Sequence, residues 1–292
     1  MKNTCRKIFS KPQLNELGDF FETVHDKFKE MSLDFFVVGA IARDILFYEV
    51  FDAKIPLRGT SDVDLAICVK SWKDYDRAIN ELIRSGDFEK ERDRQRLKYK
   101  KNLRVDIVPY GKIANGKKII EWPSPDSSVK MSVSGFKEAY DSAVEIKINK
   151  GRSIKIASLE GLTILKIIAW NERKSSKDAQ DLKTLLTSYF TLHIETIENI
   201  YDQYSDLIME VKGNTEKTGI RILGERISLI LHTAEDVKSK LIQILEDELK
   251  KEGDNLAQYM VEFRLELEEE YSKNIDRIKD LLEGIKNSQI NR

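Results

Sequence analysis

The sequence predicts an α+β fold, with a small mixed-sheet core followed by an all-helical C-terminal domain. Three observations predict it. Between residues 33 and 157, short apolar runs alternate with polar residues or stop at glycines, as half-buried strands do. From Ser158 onward apolar residues recur at helical spacing, and little reads as a strand. All five prolines fall at or before residue 125. Mixed strands followed by helices favour an α+β domain joined to a helical one.

Taken in order, residues 11 to 31 read as an amphipathic helix. Leu14, Leu17, Phe21, Val24, Phe28 and Met31 share one face, Ser10 is placed to cap it, and Pro12 suits its first turn. "DFFVVG" reads as a buried strand ending at Gly39, and "AIARDILFYEV" returns to a helical pattern. "DVDLAICV" is a second strand. Ser71 then caps a helix, with Asp74 three residues on, and Gly86 is suited to end it. "QRLKYKKNLRVDIVPY" alternates on both sides of Lys101-Asn102 and predicts a hairpin. Residues 112 to 157 mix short strand signals with loops, and "VEIKINKGRSIKIA" is a second hairpin turning at Asn149 and Gly151. "SLEGLTILKIIAWNER" and "SKDAQDLKTLLTSYF" are helical. Residues 234 to 288 carry apolar positions between dense charges and break at Gly253, which predicts two long helices. The expected divisions are an N-terminal helix on the core (1–32), the sheet domain (33–157), a helical domain (158–233) and charged C-terminal helices (234–292).

Composition narrows the function classes. Of 292 residues, 49 are Lys or Arg and 50 are Asp or Glu. With the signs so balanced, contact with a polyanion needs a local patch. Cys5 and Cys68 are the only cysteines, which excludes a disulfide framework and a thiolate zinc cluster. The apolar run Leu162 to Trp170 contains Lys166 and is too short to span a bilayer. The N-terminal "MKNTCRKIFSKPQ" has no apolar leader segment. A soluble, cytoplasmic protein without a membrane partner is expected. His25, His193 and His232 are scattered and form neither a metal cluster nor a triad pattern. Trp72, Trp122 and Trp170 read as packing residues.

The chemistry concentrates in "RGTSDVDLAI". Residues two apart on a strand share a face, so Asp62 and Asp64 project together while Val63 and Leu65 enter the core. Two such carboxylates repel unless a cation lies between them. Oxygen donors of this kind suit Mg²⁺, which keeps waters and substrate phosphates in its other positions. A lone D-x-D is more often a solvated turn. A third carboxylate, Asp106 in "LRVDIVPY", could complete a two-metal site for phosphoryl displacement, or could be a strand-edge acid paired with Arg104.

The segments Gly39-Ala40, Thr60-Ser61-Asp62-Val63-Asp64-Leu65 and Val105-Asp106-Ile107-Val108-Pro109 together resemble the DNA polymerase β-like nucleotidyltransferase superfamily. The block "SLEGLTILKIIAWNERKSSKDAQDL" is similar to the AbiEii/AbiGii abortive-infection toxin group, and "TGIRILGERISLIL" is faintly similar to a further segment of it. The resemblance covers residues 33 to 190. It implies Mg²⁺, or Mn²⁺ in its place, held by Asp62, Asp64 and Asp106, with an NTP as co-substrate. It implies nucleotidyl transfer to an acceptor hydroxyl with release of pyrophosphate, and Asp106 as the residue that helps deprotonate that hydroxyl. Gly39, Ala40, Arg43, Thr60, Ser61, Lys177, Asp178 and Asp181 are expected at the nucleotide. Lys166 is expected on its triphosphate, with Asp178 or Asp181 orienting Lys166 or Arg173. An RNA or tRNA acceptor and a cognate antitoxin are implied partners. Many superfamily members carry Gly-Ser where this chain has Gly39-Ala40, so a hydroxyl that touches phosphate is missing.

Simpler readings stand beside these. Lys166 on an apolar helix can snorkel, Asp178 and Asp181 can serve a helix N-terminus, and Arg43 can pair with Asp44 on the surface. Arg92, Arg94, Arg96, Lys98 and Lys100 recur at every second position, as one basic strand face. That face is either a solvated edge or a track for a polyanionic acceptor. Tyr99, opposite, reads as core. Two other functions fit the same residues: a small-molecule nucleotidyltransferase of the antibiotic-modifying sort, and a non-catalytic nucleotide-binding interaction module.

Overall fold

The alternating runs become strands of a mixed sheet in the computed structural model, which describes residues 12–53, 62–123, 129–148, 151–193, 200–262 and 267–287. Cys5, Ser10, Thr60, Ser61 and Asn149 lie outside the described residues. The strands are β1 (Phe35–Val38), β2 (Asp62–Cys68), β3 (Phe88–Lys90), β4 (Arg96–Tyr99), β5 (Leu103–Tyr110), β6 (Ile119–Glu121), β7 (Lys130–Ser132), β8 (Val144–Lys147) and β9 (Ser153–Ile156). Seven of them run in the order β3-β4-β5-β2-β1-β9-β8, and β6 and β7 form a separate ribbon. At the centre β2 is parallel to β5 and antiparallel to β1. Pro109 sits in β5 beyond the stretch that pairs with β4, where the lost N–H has no ladder to break.

One sheet face is apolar. Val63, Leu65, Ile67, Leu97, Tyr99, Val105 and Ile107 are all buried. The helices α1 (Pro12–Glu30) and α3 (Trp72–Arg84) supply further apolar surface to this unit. Phe20, Phe21, Val24 and Phe28 of α1 are fully buried, and Phe20 meets Tyr99 edge-on at 5.2 Å between ring centres. Each such side chain contributes about 1.5–3 kcal/mol. The Tyr75 hydroxyl of α3 donates to the Ile107 carbonyl at 2.9 Å. Ser71 caps α3 by accepting from the Asp74 N–H, and Gly86 follows its end at φ 86°.

The opposite face begins with carboxylates and ends in aromatics. Phe36, Tyr110 and Tyr140 pack there with Phe136 of α4 (Phe136–Asp141). This short helix lies where the sequence showed only loops and strand signals; six residues are too few to display a helical period. The helix expected after Gly39 is α2 (Gly39–Ile45), which widens into a π-helical turn, Leu46–Val50.

The expected basic strand does not form. β3 stops at Lys90 and β4 starts at Arg96, so Arg92 and Arg94 lie outside both strands. Lys100 and Lys101 adopt left-handed conformations in the turn that follows β4. Acids meet these cations one by one. Arg94 donates to Asp76 at 2.6 and 2.8 Å, Lys98 lies 3.4 Å from Glu91, and Lys100 lies 3.7 Å from Asp19.

The chain divides into Met1–Ser158, described above, and Leu159–Arg292. The second unit contains α5 (Leu159–Arg173), α6 (Ser176–His193), α7 (Ile200–Gln203), α8 (Ser205–Glu210), α9 (Thr215–Ile230), α10 (Glu235–Lys250), α11 (Leu256–Tyr259) and α12 (Leu267–Lys286). The two long helices expected after residue 234 are α10 and α12. A short α11 intervenes, after Gly253 at φ 77° and capped by the Asn255 side chain. Gly224 of α9 and Gly284 of α12 let these helices touch backbone to backbone. Among the described residues, no helix is long and apolar enough to cross a membrane.

Candidate active site

Strand register assembles the carboxylates. Asp64 of β2 stands directly beside Asp106 of β5, and Val38 of β1 stands opposite Asp64. Cross-strand partners share a face, so Asp62, Asp64 and Asp106 project together from adjacent strands less than 5 Å apart, by the usual spacing of about 4.8 Å. The burial of β2 alternates as this requires, with Val63 and Leu65 inside and both aspartates half-exposed.

Gly39 follows Val38 at φ 71°, a conformation that L side chains rarely adopt. Steric demand points the same way. A β-carbon on Gly39 would lie 2.0 Å from Oδ2 of Asp64 and 2.9 Å from its Cγ. The glycine turn is therefore the space into which the Asp64 carboxylate folds. Ala40, next along, is half-exposed. Arg43 is not on the surface: it is 3% exposed, and its Nε and Nη2 donate to Asp44 Oδ1 at 2.9 and 2.7 Å.

Asp106 takes a partner that sequence reasoning missed. Arg96 stands directly across the β4–β5 ladder from it. Its Nε donates to Oδ1 at 2.8 Å and its Nη2 to Oδ2 at 2.9 Å, a bidentate fork. Its third nitrogen, Nη1, donates to Asp93 Oδ2 at 3.0 Å. The hydrogen bonds to Asp106 hold the guanidinium still more firmly protonated than usual, and Asp62 adds to the same field. Arg104, the partner expected from sequence, is exposed two residues along the same strand.

Carboxylate oxygens such as those of Asp62, Asp64 and Asp106 are the donors that suit a hard divalent cation, and the Gly39 turn makes room for one of them. Among the described residues, no three His, Cys, Asp or Glu side chains stand at metal-ligand spacing. Asp106 gives both oxygens to Arg96, so a cation taking it as a ligand would compete with that fork.

A second ionic cluster lies within the helical unit. Lys166 of α5 reaches Asp178 Oδ1 at 3.1 Å and Asp181 Oδ2 at 2.6 Å on α6. Arg173 also grips Asp178, through Nε at 2.5 Å and Nη2 at 2.8 Å. Burial pushes the Asp178 carboxyl up, but Arg173 and Lys166 outweigh it and hold it below the usual range. The geometry thus joins Lys166, Arg173, Asp178 and Asp181, while Lys177 is exposed.

The family model for "Nucleotidyl transferase AbiEii toxin, Type IV TA system" matches residues 53–282. No curated protein matches the chain. Similar solved structures include the antibiotic-resistance factor ANT(2'')-Ia, at 12% identity and TM-score 0.38, covering 68% of this chain and 98% of that one. Another is the lincomycin-bound lincosamide antibiotic adenylyltransferase LnuA, at 19% identity and TM-score 0.35, covering 59% and 94%. A third is the Thermotoga maritima CCA-adding enzyme complexed with tRNA, at 13% identity and TM-score 0.28, covering 91% and 66%. At these scores the likenesses carry no argument about chemistry.

Proposed function

The chain belongs to the AbiEii nucleotidyl transferase toxin family and is a nucleotidyltransferase; from that premise we propose that the carboxylate face of β2 and β5 is its reaction centre. The observation that carries this reading is the in-register placement of Asp64 beside Asp106, with Gly39 shaped around Asp64.

In this reading an acceptor hydroxyl attacks the α-phosphorus of an NTP. The bond from that phosphorus to the oxygen bridging to the β-phosphate breaks, and pyrophosphate leaves. Asp62 and Asp64, with Asp106 once released, would hold Mg²⁺ or Mn²⁺, which when bound would supply positive charge to the phosphoryl oxygens. Asp106 takes up the hydroxyl proton, since a carboxylate is a competent base once its fork opens. Gly39 keeps the backbone close to Asp64 and fixes that carboxylate's direction.

RNA, tRNA included, is the acceptor class proposed here, and a cognate antitoxin the proposed partner in the cell; the type IV toxin family supports the latter. The cations at residues 94 to 100 are engaged by acids of their own unit, so acceptor binding is not assigned to them. The test incubates the protein with each α-³²P-labelled NTP, Mg²⁺ and total RNA, with an aminoglycoside or lincosamide as the competing small acceptor. Label on RNA supports the proposal. Label on the small molecule only would transfer the chain to the antibiotic-modifying class, and label on neither would contradict the reading.

A further inference from the structure

A carboxylate whose two oxygens are both engaged by a guanidinium has fewer lone pairs and less negative charge to offer a metal. A divalent cation and Arg96 would then sit a few ångströms apart with like charge. Yet Arg96 is built into the sheet opposite Asp106, in register, and makes the full two-bond fork. Its remaining nitrogen is held by Asp93, which is half-exposed and belongs to the turn before β4. The backbone N–H of Arg96 also donates to the Asp93 carbonyl at 3.0 Å. The guanidinium therefore has two anchors, one on the carboxylate face and one at its rim.

We propose that Arg96 is the exchangeable counter-cation of the site. It neutralises Asp106 while the site holds no cation, and it yields that carboxylate when a divalent cation and the nucleoside triphosphate bind. Asp93 retains the guanidinium at the rim, where it meets the anionic oxygens of the triphosphate. Arg96 is thus a positioning residue that couples donor binding to completion of the ligand set. The planar fork is what allows this, since the same geometry matches carboxylate and phosphate alike. The exchange keeps Asp106 neutralised throughout: the guanidinium leaves it as a divalent cation arrives, and the added positive charge is met by the anionic triphosphate. The inference rests on the functional reading above.

The two ideas separate in one experiment, which measures Mn²⁺ binding by electron paramagnetic resonance. The samples are the unaltered chain, Asp64→Asn, Arg96→Gln and Arg96→Lys, each with and without a non-hydrolysable α,β-methylene NTP. Without nucleotide, Arg96→Gln is expected to bind Mn²⁺ about tenfold more tightly than the unaltered chain, the scale of a part-exposed charged fork. Arg96→Lys, which keeps a cation and loses the fork, should fall between them. With nucleotide present the order should reverse, because the triphosphate then lacks its guanidinium. A thermal readout accompanies it: Mg²⁺ should raise the Tm of Arg96→Gln more than that of the unaltered chain. Mn²⁺ affinity equal in Arg96→Gln, Arg96→Lys and the unaltered chain would overturn the exchange while leaving the metal site intact. Binding that does not depend on Asp64 would remove the functional reading itself.

Discussion

At the scale of single residues, Gly39, Asp64 and Lys166 make separable claims. A β-carbon at position 39 would meet Asp64 Oδ2 at 2.0 Å and would also have to tolerate φ 71°. Gly39→Ala is therefore expected to cost about 1–2 kcal/mol from backbone conformation, and more from the displaced carboxylate. Nucleotidyl transfer should fall further than the Tm predicts, because Asp64 is turned away from its partners. Near-normal turnover in Gly39→Ala would show that Asp64 has no fixed direction to lose. Lys166 is gripped by Asp178 and Asp181, and we propose that its ammonium also serves the triphosphate. Lys166→Met keeps the aliphatic stem and removes the charge. A fall of about tenfold or more in kcat/KM for NTP is expected if that contact is made. A lower Tm with unchanged kcat and KM would assign Lys166 to the packing of α5 on α6.

At the scale of elements, register and close approach decide the structure. Gly284 of α12 is a sharp case: a β-carbon there would lie 2.4 Å from the Arg221 carbonyl oxygen and 3.0 Å from the Gly224 Cα. Gly284→Ala should push α9 and α12 apart and lower stability by about 1–3 kcal/mol. Urea unfolding measures this, and a Cm equal to that of the unaltered chain would mean that the helices separate without cost. Register also explains what the sequence could and could not reveal. The alternation of Val63, Asp64 and Leu65 was enough to set both β2 aspartates on one face. The hairpin joining β4 to β5 was equally legible as an element. Its turn was not. A two-residue turn at Lys101-Asn102 pairs Lys100 with Leu103 and places Arg96 opposite Ile107. The observed turn pairs Tyr99 with Leu103, which brings Arg96 opposite Asp106. A slip of one residue changes every cross-strand partner. That is why the Arg96 fork is not legible in the sequence; the alternating cations fail to make one face for another reason, since β4 begins only at Arg96. The short α4 and α11 were hidden for a different reason, since four to six residues span too little of a helical period. Lys166 was legible because a charge interrupting an apolar run needs a partner, and Asp178 and Asp181 share a helix face three residues apart.

At the scale of the whole molecule, pH tests the buried ionic groups and one substitution tests the chemistry. His193 is buried, stacked on Tyr189 at 4.1 Å, with Glu160 and Arg226 in its surroundings. Burial pulls its pKa down, so the unfolded chain takes up a proton first as pH falls through about 6.5. Stability should therefore decline from that point, and His193→Gln should remove this step from a plot of Tm against pH. A profile identical in both proteins between pH 7 and 5 would contradict the assignment. Asp178 and Glu248 are held low by their cationic partners, despite burial that pushes both up. Their contribution is in place above about pH 4 and is lost as pH falls through their folded values. Burial pushes Asp280 and Glu225 the other way, so the upper step is the cleaner test. The central claim is that a nucleotidyltransferase of this family does its chemistry on the carboxylate face of β2. The most direct measurement compares label transfer from α-³²P NTP by the unaltered chain and by Asp64→Asn, with matched circular dichroism spectra. The account predicts transfer by the first and a loss of roughly 10³-fold or more in the second, as expected when several kcal/mol of charge stabilisation are forfeited. A folded Asp64→Asn protein that transfers label at a near-normal rate would contradict it.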